Sequence, residues 1–155
     1  PVVDIVLPAK YITLLNRSCT VKGNRTINVK LPNVALERFN GLRSTTGQKP
    51  FSVDLICNSD FSTPAQVTLR WSTRHNSPDN NIGIGVLPNI QHKGATGIGI
   101  QVLDQQKSPI DFNSTFTYQA KETLSIPFYA QYYQMSTDIS PGRVSAVLYF
   151  NADYE

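Results

Sequence analysis

The sequence predicts an all-β sandwich. Three observations carry that expectation. Apolar residues recur on alternate positions in one run after another, the period of a strand with one buried face. Clusters of Gly, Pro, Asn and Asp break these runs at short intervals. Almost no segment shows the 3.6-residue period of an amphipathic helix. At 155 residues, 40% hydrophobic and 16% charged, the chain is most simply one domain with a core of its own.

Taken in order, residues 2–7 alternate loosely through Val3, Ile5 and Leu7 and end at Pro8. Residues 11–15 form a second short apolar run, and residues 18–21 contain Cys19. After the turn signal Gly23-Asn24, residues 26–32 alternate cleanly through Ile27, Val29 and Leu31 until Pro32 stops them. Residues 33–49 read as irregular: one helical turn over residues 34–39, then a loop of sequence Ser-Thr-Thr-Gly-Gln-Lys-Pro. Residues 50–57 put Phe51, Val53, Leu55 and Cys57 on one face. Residues 65–73 place Val67, Leu69 and Trp71 inward, with Gln66, Thr68 and Arg70 outward. A polar loop over residues 75–81 leads to two Gly/Ile-rich segments, residues 82–88 and 94–104. A short strand near residues 115–118 precedes residues 124–134, which bury Leu124, Ile126, Phe128, Ala130 and Tyr132. The final run, residues 142–155, alternates through Val144, Ala146, Leu148, Phe150, Ala152 and Tyr154. No hairpin partner follows it, so its partner on one side is expected to come from elsewhere.

Composition narrows the function. No run of 18 or more apolar residues is present, so no helix of this sequence is long enough to span a bilayer. The net charge of +3 is uneven. Residues 1–50 hold eight basic groups against Asp4 and Glu37, and the remainder holds six basic and nine acidic groups. The basic residues stand singly between apolar ones, without interleaved aromatics. Solvated strand faces explain them better than a nucleic-acid surface does. Cys19 and Cys57 are the two cysteines. They read either as free thiols or as one disulfide formed in an oxidising compartment, and no metal-type spacing accompanies them.

Catalytic patterns are weak. Gly94 to Gly99 superficially resembles a phosphate loop, but β-type residues follow where a helix is required. The glycines read better as sites of a bulge or a close strand crossing. His75 and His92 lack converging ligands for a metal. No serine is matched with a histidine and a carboxylate. Trp71, within an alternating run, reads as a core anchor, with carbohydrate stacking as the alternative.

Four features line up in order. Cys19 precedes the strand ending in Leu31-Pro32. A second strand, Pro50 to Cys57, ends in a cysteine. Residues 97–104, Gly-Ile-Gly-Ile-Gln-Val-Leu-Asp, lie mid-chain before Pro109-Ile110. The last strand starts at Pro141-Gly142 and carries a penultimate tyrosine, Tyr154. Together these resemble the pilin subunits of chaperone–usher fimbriae of the type 1 and P pilus kind, from about Cys19 to Glu155. The resemblance implies an incomplete immunoglobulin-like β-sandwich that lacks its last strand and is completed by a donor strand. It implies a Cys19–Cys57 disulfide, worth about 3–4 kcal/mol. It places one wall of the acceptor groove at Ile27, Val29 and Leu31, and the other at Val144, Ala146, Leu148 and Phe150. Tyr154 and Glu155 are the expected chaperone anchor, and Val3, Ile5 and Leu7 the candidate donor strand. The implied partners are a periplasmic chaperone, an outer-membrane usher and neighbouring fimbrial subunits joined by strand exchange. The implied location is a fimbrium on the bacterial surface, reached through the periplasm. No catalytic residue, metal, nucleic acid or small-molecule cofactor is expected.

Residues 1–14 read as an N-terminal extension or an interdomain linker, and residues 15–155 as the pilin domain. Residues 1–18 contain no glycine, and Pro8 interrupts them. That departs from the family's usual extension and leaves an alternative, the C-terminal pilin domain of a two-domain tip adhesin, with Pro1 at a cut between domains. An alternative of another class is a stand-alone carbohydrate-binding β-sandwich using loop residues around Trp71 to Asn81.

Overall fold

The computed structural model describes residues 3–11, 18–21, 26–58, 66–71, 84–148 and 150–154, with only the backbone described up to residue 30 and at residues 58, 151, 153 and 154. Among the described residues, eleven strands run in the order β1 (Val3–Tyr11), β2 (Ser18–Val21), β3 (Thr26–Leu31), β4 (Thr45–Asn58), β5 (Gln66–Trp71), β6 (Val86–Leu87), β7 (Ile98–Leu103), β8 (Thr115–Gln119), β9 (Thr123–Gln134), β10 (Val144–Val147) and β11 (Phe150–Tyr154). The expected helical turn is a single 3-10 turn, Leu36–Arg38.

Two sheets pack face to face. In the six-stranded sheet, β3 pairs antiparallel with β1, and β1 pairs parallel with β10 and then with β11. Beyond β11 lie β5 and β8, both antiparallel. The five-stranded sheet has the order β2-β4-β9-β7-β6, antiparallel throughout. The all-β expectation holds, and the alternation explains it. Val67, Leu69 and Trp71 of β5 are buried while Gln66 and Arg70 are exposed. Leu124, Ile126, Phe128, Ala130 and Tyr132 of β9 are all buried.

Trp71 sits at the centre of the core. Its ring meets Phe112, Phe116, Phe128 and Phe150 edge-on, at centroid distances of 5.8 to 6.1 Å. Such edge-to-face contacts add about 0.5–1.5 kcal/mol each to the burial of the rings. At 7% exposure the indole has no face left for a sugar, so the core-anchor reading stands.

Two elements differ from the sequence reading. The loop expected before Pro50 is the first part of β4, which begins at Thr45. The register against β9 shifts between Thr46 and Lys49. Gly47, at φ +73°, takes up the extra residue, and a Cβ there would lie 2.7 Å from the Tyr132 ring. Pro50 is tolerated because β2 pairs only with Leu55 to Asn58, which leaves β4 one paired neighbour at that point.

The second difference is at the end of the chain. The single strand expected over residues 142–155 is divided into β10 and β11. The offset against β1 is the same on both sides of the break, from Val6↔Val147 to Ala9↔Phe150. Leu148, outside both strands, falls opposite Leu7 at that offset. Residues 12–17, 59–65 and 72–83, with His75 among them, lie outside the described residues, as does Glu155.

Candidate functional site

The site predicted from sequence is the space between β3 and the last strand. Each wall has its own local cause. Pro32 ends β3, and the carbonyl oxygen of Pro32 accepts a hydrogen bond from the Tyr132 hydroxyl at 2.7 Å. That bond ties the end of β3 to the opposite sheet. Burial pushes the Tyr132 hydroxyl up to a pKa of about 12. The other wall starts at the Pro141-Gly142 turn, where Gly142 adopts φ +146° and a Cβ would lie 2.6 Å from the Ala95 amide nitrogen.

The outer edge of β10 is satisfied by the loop at residues 88–96, chiefly through Asn89. The Asn89 Oδ1 accepts the amide N–H of Ser145 and that of Gln91, both at 2.9 Å. Its Nδ2 donates to the carbonyls of Ala95 at 2.8 Å and Arg143 at 3.0 Å. The Ile90 N–H adds a bond to the Ser145 carbonyl at 2.8 Å. Sequence reasoning missed Asn89. Its only signal was an asparagine after Pro88 in a loop, which marks a turn and nothing more.

The predicted wall residues divide by what the structure describes. Leu31, Val144, Ala146, Leu148 and Phe150 are all buried. Ile27 and Val29 are placed by backbone register in β3, and Tyr154 in β11 opposite Val67. Between the walls runs β1, itself one of the predicted segments. Val3, Ile5 and Leu7 lie opposite Leu31, Val29 and Ile27 on one side. On the other side, Val3 and Ile5 lie opposite Val144 and Ala146. The gap expected to await an outside strand is thus filled by the chain's own N-terminal segment.

At the end where β1 begins, a cavity of about 90 Å³ opens beside Val144. Its lining includes Val34, Leu36, Phe39, Ile98 and Tyr132 and is almost wholly apolar. Phe39 and Tyr132 meet edge-on there at 6.4 Å. Such a cavity suits one aliphatic side chain and offers nothing to a charged one.

The cysteine positions lie towards the other end of β4 from this cavity. Cys19 in β2 lies opposite Cys57 in β4, and Cys57 is disulfide-bonded. Among the described residues, no group of three or more His, Cys, Asp or Glu is placed to hold a metal ion. Asp54 accepts from Ser52 of β4 at 3.0 Å and from Ser125 of β9 at 2.5 Å. It serves to join those two strands.

Comparisons with known proteins fit this geometry. A family model described as fimbrial protein matches residues 9–155. The chain is 28% identical to a fimbria adhesin protein of Klebsiella pneumoniae over 157 residues, which is 96% of this chain and 49% of the relative. It spans about half the length of that adhesin. It is 28% identical to the fimbrial subunit type 1 of Salmonella typhimurium over 149 residues, covering 92% of this chain and 78% of the subunit. The S-fimbrial protein subunit of Escherichia coli is 30% identical over 142 residues, covering 90% of this chain and 78% of that subunit. Among solved structures, the CupB6 tip adhesin of Pseudomonas aeruginosa superposes with a TM-score of 0.55 at 16% identity, over 77% of this chain and 37% of that one. The antigen and type I fimbria protein of Burkholderia pseudomallei gives 0.52 at 19% identity, over 98% and 92%. At these identities the two structures speak for the fold alone.

Proposed function

The chain belongs to the fimbrial protein family, and from that premise we propose that it is a structural subunit of an adhesive fimbria on the bacterial surface. Its working part is the groove between β3 and β10–β11, which takes a strand from a partner. The observation that carries this reading is the ladder on both sides of β1: a strand set between Leu31 and Val144 completes the sheet. Recognition is by β-augmentation, in which main-chain hydrogen bonds give affinity and alternate side chains give specificity. No catalytic step is involved.

In this reading a periplasmic chaperone first lends the strand, with Tyr154 and Glu155 as its anchor. An outer-membrane usher then receives the subunit, and a neighbouring subunit's strand replaces the chaperone's. A Cys19–Cys57 bridge, formed in the oxidising periplasm, clamps β2 to β4 beside the groove. A second reading is the pilin domain of a two-domain tip adhesin. It is favoured by the match to only 49% of the Klebsiella adhesin.

The test is periplasmic expression beside a chaperone of the chaperone–usher class, with a photoreactive residue in place of Val29. A 1:1 complex cross-linked at that position is expected. A complex that does not cross-link from position 29, or no complex at all, would remove the groove from the function. The mass of the mature protein separates the two readings: a subunit is close to this chain in size, and an adhesin carries a further domain.

A further inference from the structure

We propose that Asn40 is a self-modification site: the main-chain nitrogen of Gly41 closes on the Asn40 carboxamide, and water opens the ring to leave isoaspartate or aspartate in its place. The reaction is independent of the groove reading and needs no enzyme, metal or cofactor.

The chemistry balances on groups of the chain and water alone. The Gly41 nitrogen gives up its proton and bonds to Asn40 Cγ. The Cγ–Nδ2 bond breaks, and Nδ2 takes up the proton and leaves as ammonia. Water then adds to one carbonyl carbon of the cyclic imide, and the bond from that carbon to the Gly41 nitrogen breaks. Opening at Cγ gives aspartate. Opening at the main-chain carbon gives isoaspartate, with the backbone routed through the former side chain. Nothing is oxidised or reduced.

The turn between the 3-10 turn and β4 leaves this path open. Of the asparagines in the chain, Asn40 alone is followed by glycine, so no side chain crowds the attacking nitrogen. Both residues are exposed. Gly41 adopts φ +118°, and a Cβ there would meet nothing within 4 Å, so the pair has room to move. Among the described residues, neither the Asn40 carboxamide nor the Gly41 N–H makes a hydrogen bond. The bonds that hold the turn use other groups: Asn40 N–H to Ser44 Oγ at 3.0 Å, Ser44 N–H to the Gly41 carbonyl at 3.1 Å, and Arg43 N–H to the Gln134 carbonyl at 2.9 Å.

Two other asparagines show the same path closed. The Asn89 carboxamide is engaged by four backbone groups. Asn113 is exposed and precedes a small residue, but the nitrogen that would attack it, that of Ser114, donates to the Asp111 carbonyl at 2.9 Å. The electrophile is held in the first case and the nucleophile in the second. At Asn40 the product carboxylate enters a stretch with Arg38 and Arg43 on either side and Glu37 nearby. Isoaspartate also lengthens the main chain directly after Phe39, which lines the cavity beside Val144.

Incubation of the purified, oxidised chain in neutral buffer tests the site. Mass spectrometry of digests follows the exchange of NH for O at each asparagine, and electron-transfer fragmentation separates isoaspartate from aspartate. Asn40 in the folded chain is expected to convert within about tenfold of its rate in a synthetic peptide of residues 36–44, because the turn opens at little cost. Asn113 is expected to lag behind its own peptide, residues 109–117, by more than about tenfold. Isoaspartate should exceed aspartate at position 40. Asn40→Gln, which needs a larger ring, should remain unconverted there and lack the acidic form that wild type develops on anion exchange. An Asn40 that stays intact in the folded chain while its peptide converts overturns the proposal. Conversion of Asn113 ahead of Asn40 overturns it too, as does aspartate without isoaspartate, which points to direct hydrolysis. If Asn40→Gln does not fold, the comparison of folded wild type with the peptide decides alone.

Discussion

At Asn89 one carboxamide serves four backbone groups: the N–H of Gln91 and Ser145, and the carbonyls of Ala95 and Arg143. Together these fix where β10 begins. Replacing it by alanine leaves partners half-buried without a bond, and each such loss costs about 1–3 kcal/mol where water cannot substitute. Asn89→Ala is expected to lose about 2–3 kcal/mol in urea unfolding. The loss of exchange protection should concentrate at Val144 and Ser145, and a uniform loss would refute this role. Tyr132 gives a pH test. Its folded pKa, raised from 10.0 to about 12 by burial, means the folded state keeps the proton longer than the unfolded chain. Its contribution is therefore complete below pH 10 and is lost as pH rises from 10 towards 12. Tyr132→Phe should lower stability by about 0.5–1.5 kcal/mol at pH 7, through the bond to the Pro32 carbonyl. It should also show a shallower alkaline decline than the wild type. An unchanged decline would assign the effect to other groups, Tyr118 among them, whose pKa is raised by burial and then by Asp104.

At the scale of elements, alternation was legible wherever one face of a strand is buried and the other wet. That covers β5, most of β9 and the last strand. It was not legible in β7, where every residue from Ile98 to Leu103 is buried. There the Gly/Ile composition and the absence of a helix signal had to serve. The start of β4 was hidden by Gly47 and Pro50, which break a strand in general and here mark a bulge and a stretch with one paired neighbour. For β1, the pattern Val3, Ile5, Leu7 was readable as a strand, but not its direction or its host. A period of two reads the same forwards and backwards, and no alternation says which chain owns the groove. The link at Asn89 was invisible for a related reason: it depends on the loop and β10 meeting in space. Pro8 offers a test at this scale. Pro8 lies opposite Thr26 of β3 on one edge, and on the other between the stretches paired with β10 and with β11, so an N–H restored there has a neighbour within reach. Pro8→Thr is expected to stabilise the chain by about 0.5–1.5 kcal/mol, one net hydrogen bond, and to slow uptake of a synthetic peptide of residues 1–12 into the groove. Faster uptake would show that the proline straightens β1 and does not weaken it.

At the scale of the molecule, the path of the first three strands couples the disulfide to the groove. β1 and β3 lie in the six-stranded sheet, and β2, between them in sequence, lies at the edge of the other. β2 is held there by the ladder from Ser18↔Asn58 to Val21↔Leu55 and by the bridge to Cys57 that we assign to Cys19. A strand of four residues at a sheet edge is weakly held by its ladder alone. Reduction should therefore do more than lower the stability of the whole by about 2–5 kcal/mol. It should free β2 first, and with it the two strands that flank it in sequence and form one wall and the filling of the groove. At roughly 2–4 °C per kcal/mol for a domain of this size, the melting temperature should fall by about 5–15 °C. Hydrogen exchange after reduction should accelerate most in β1, β2 and β3 and least in β5, β7 and β9, which carry the Trp71 cluster and the opposite layer of the core. Cys19→Ser with Cys57→Ser should reproduce both effects and make the peptide of residues 1–12 enter faster, because a loosened β1 competes less well for its own groove. Equal acceleration in all strands would show that the bridge stabilises the sandwich as a whole and exerts no particular control over the groove.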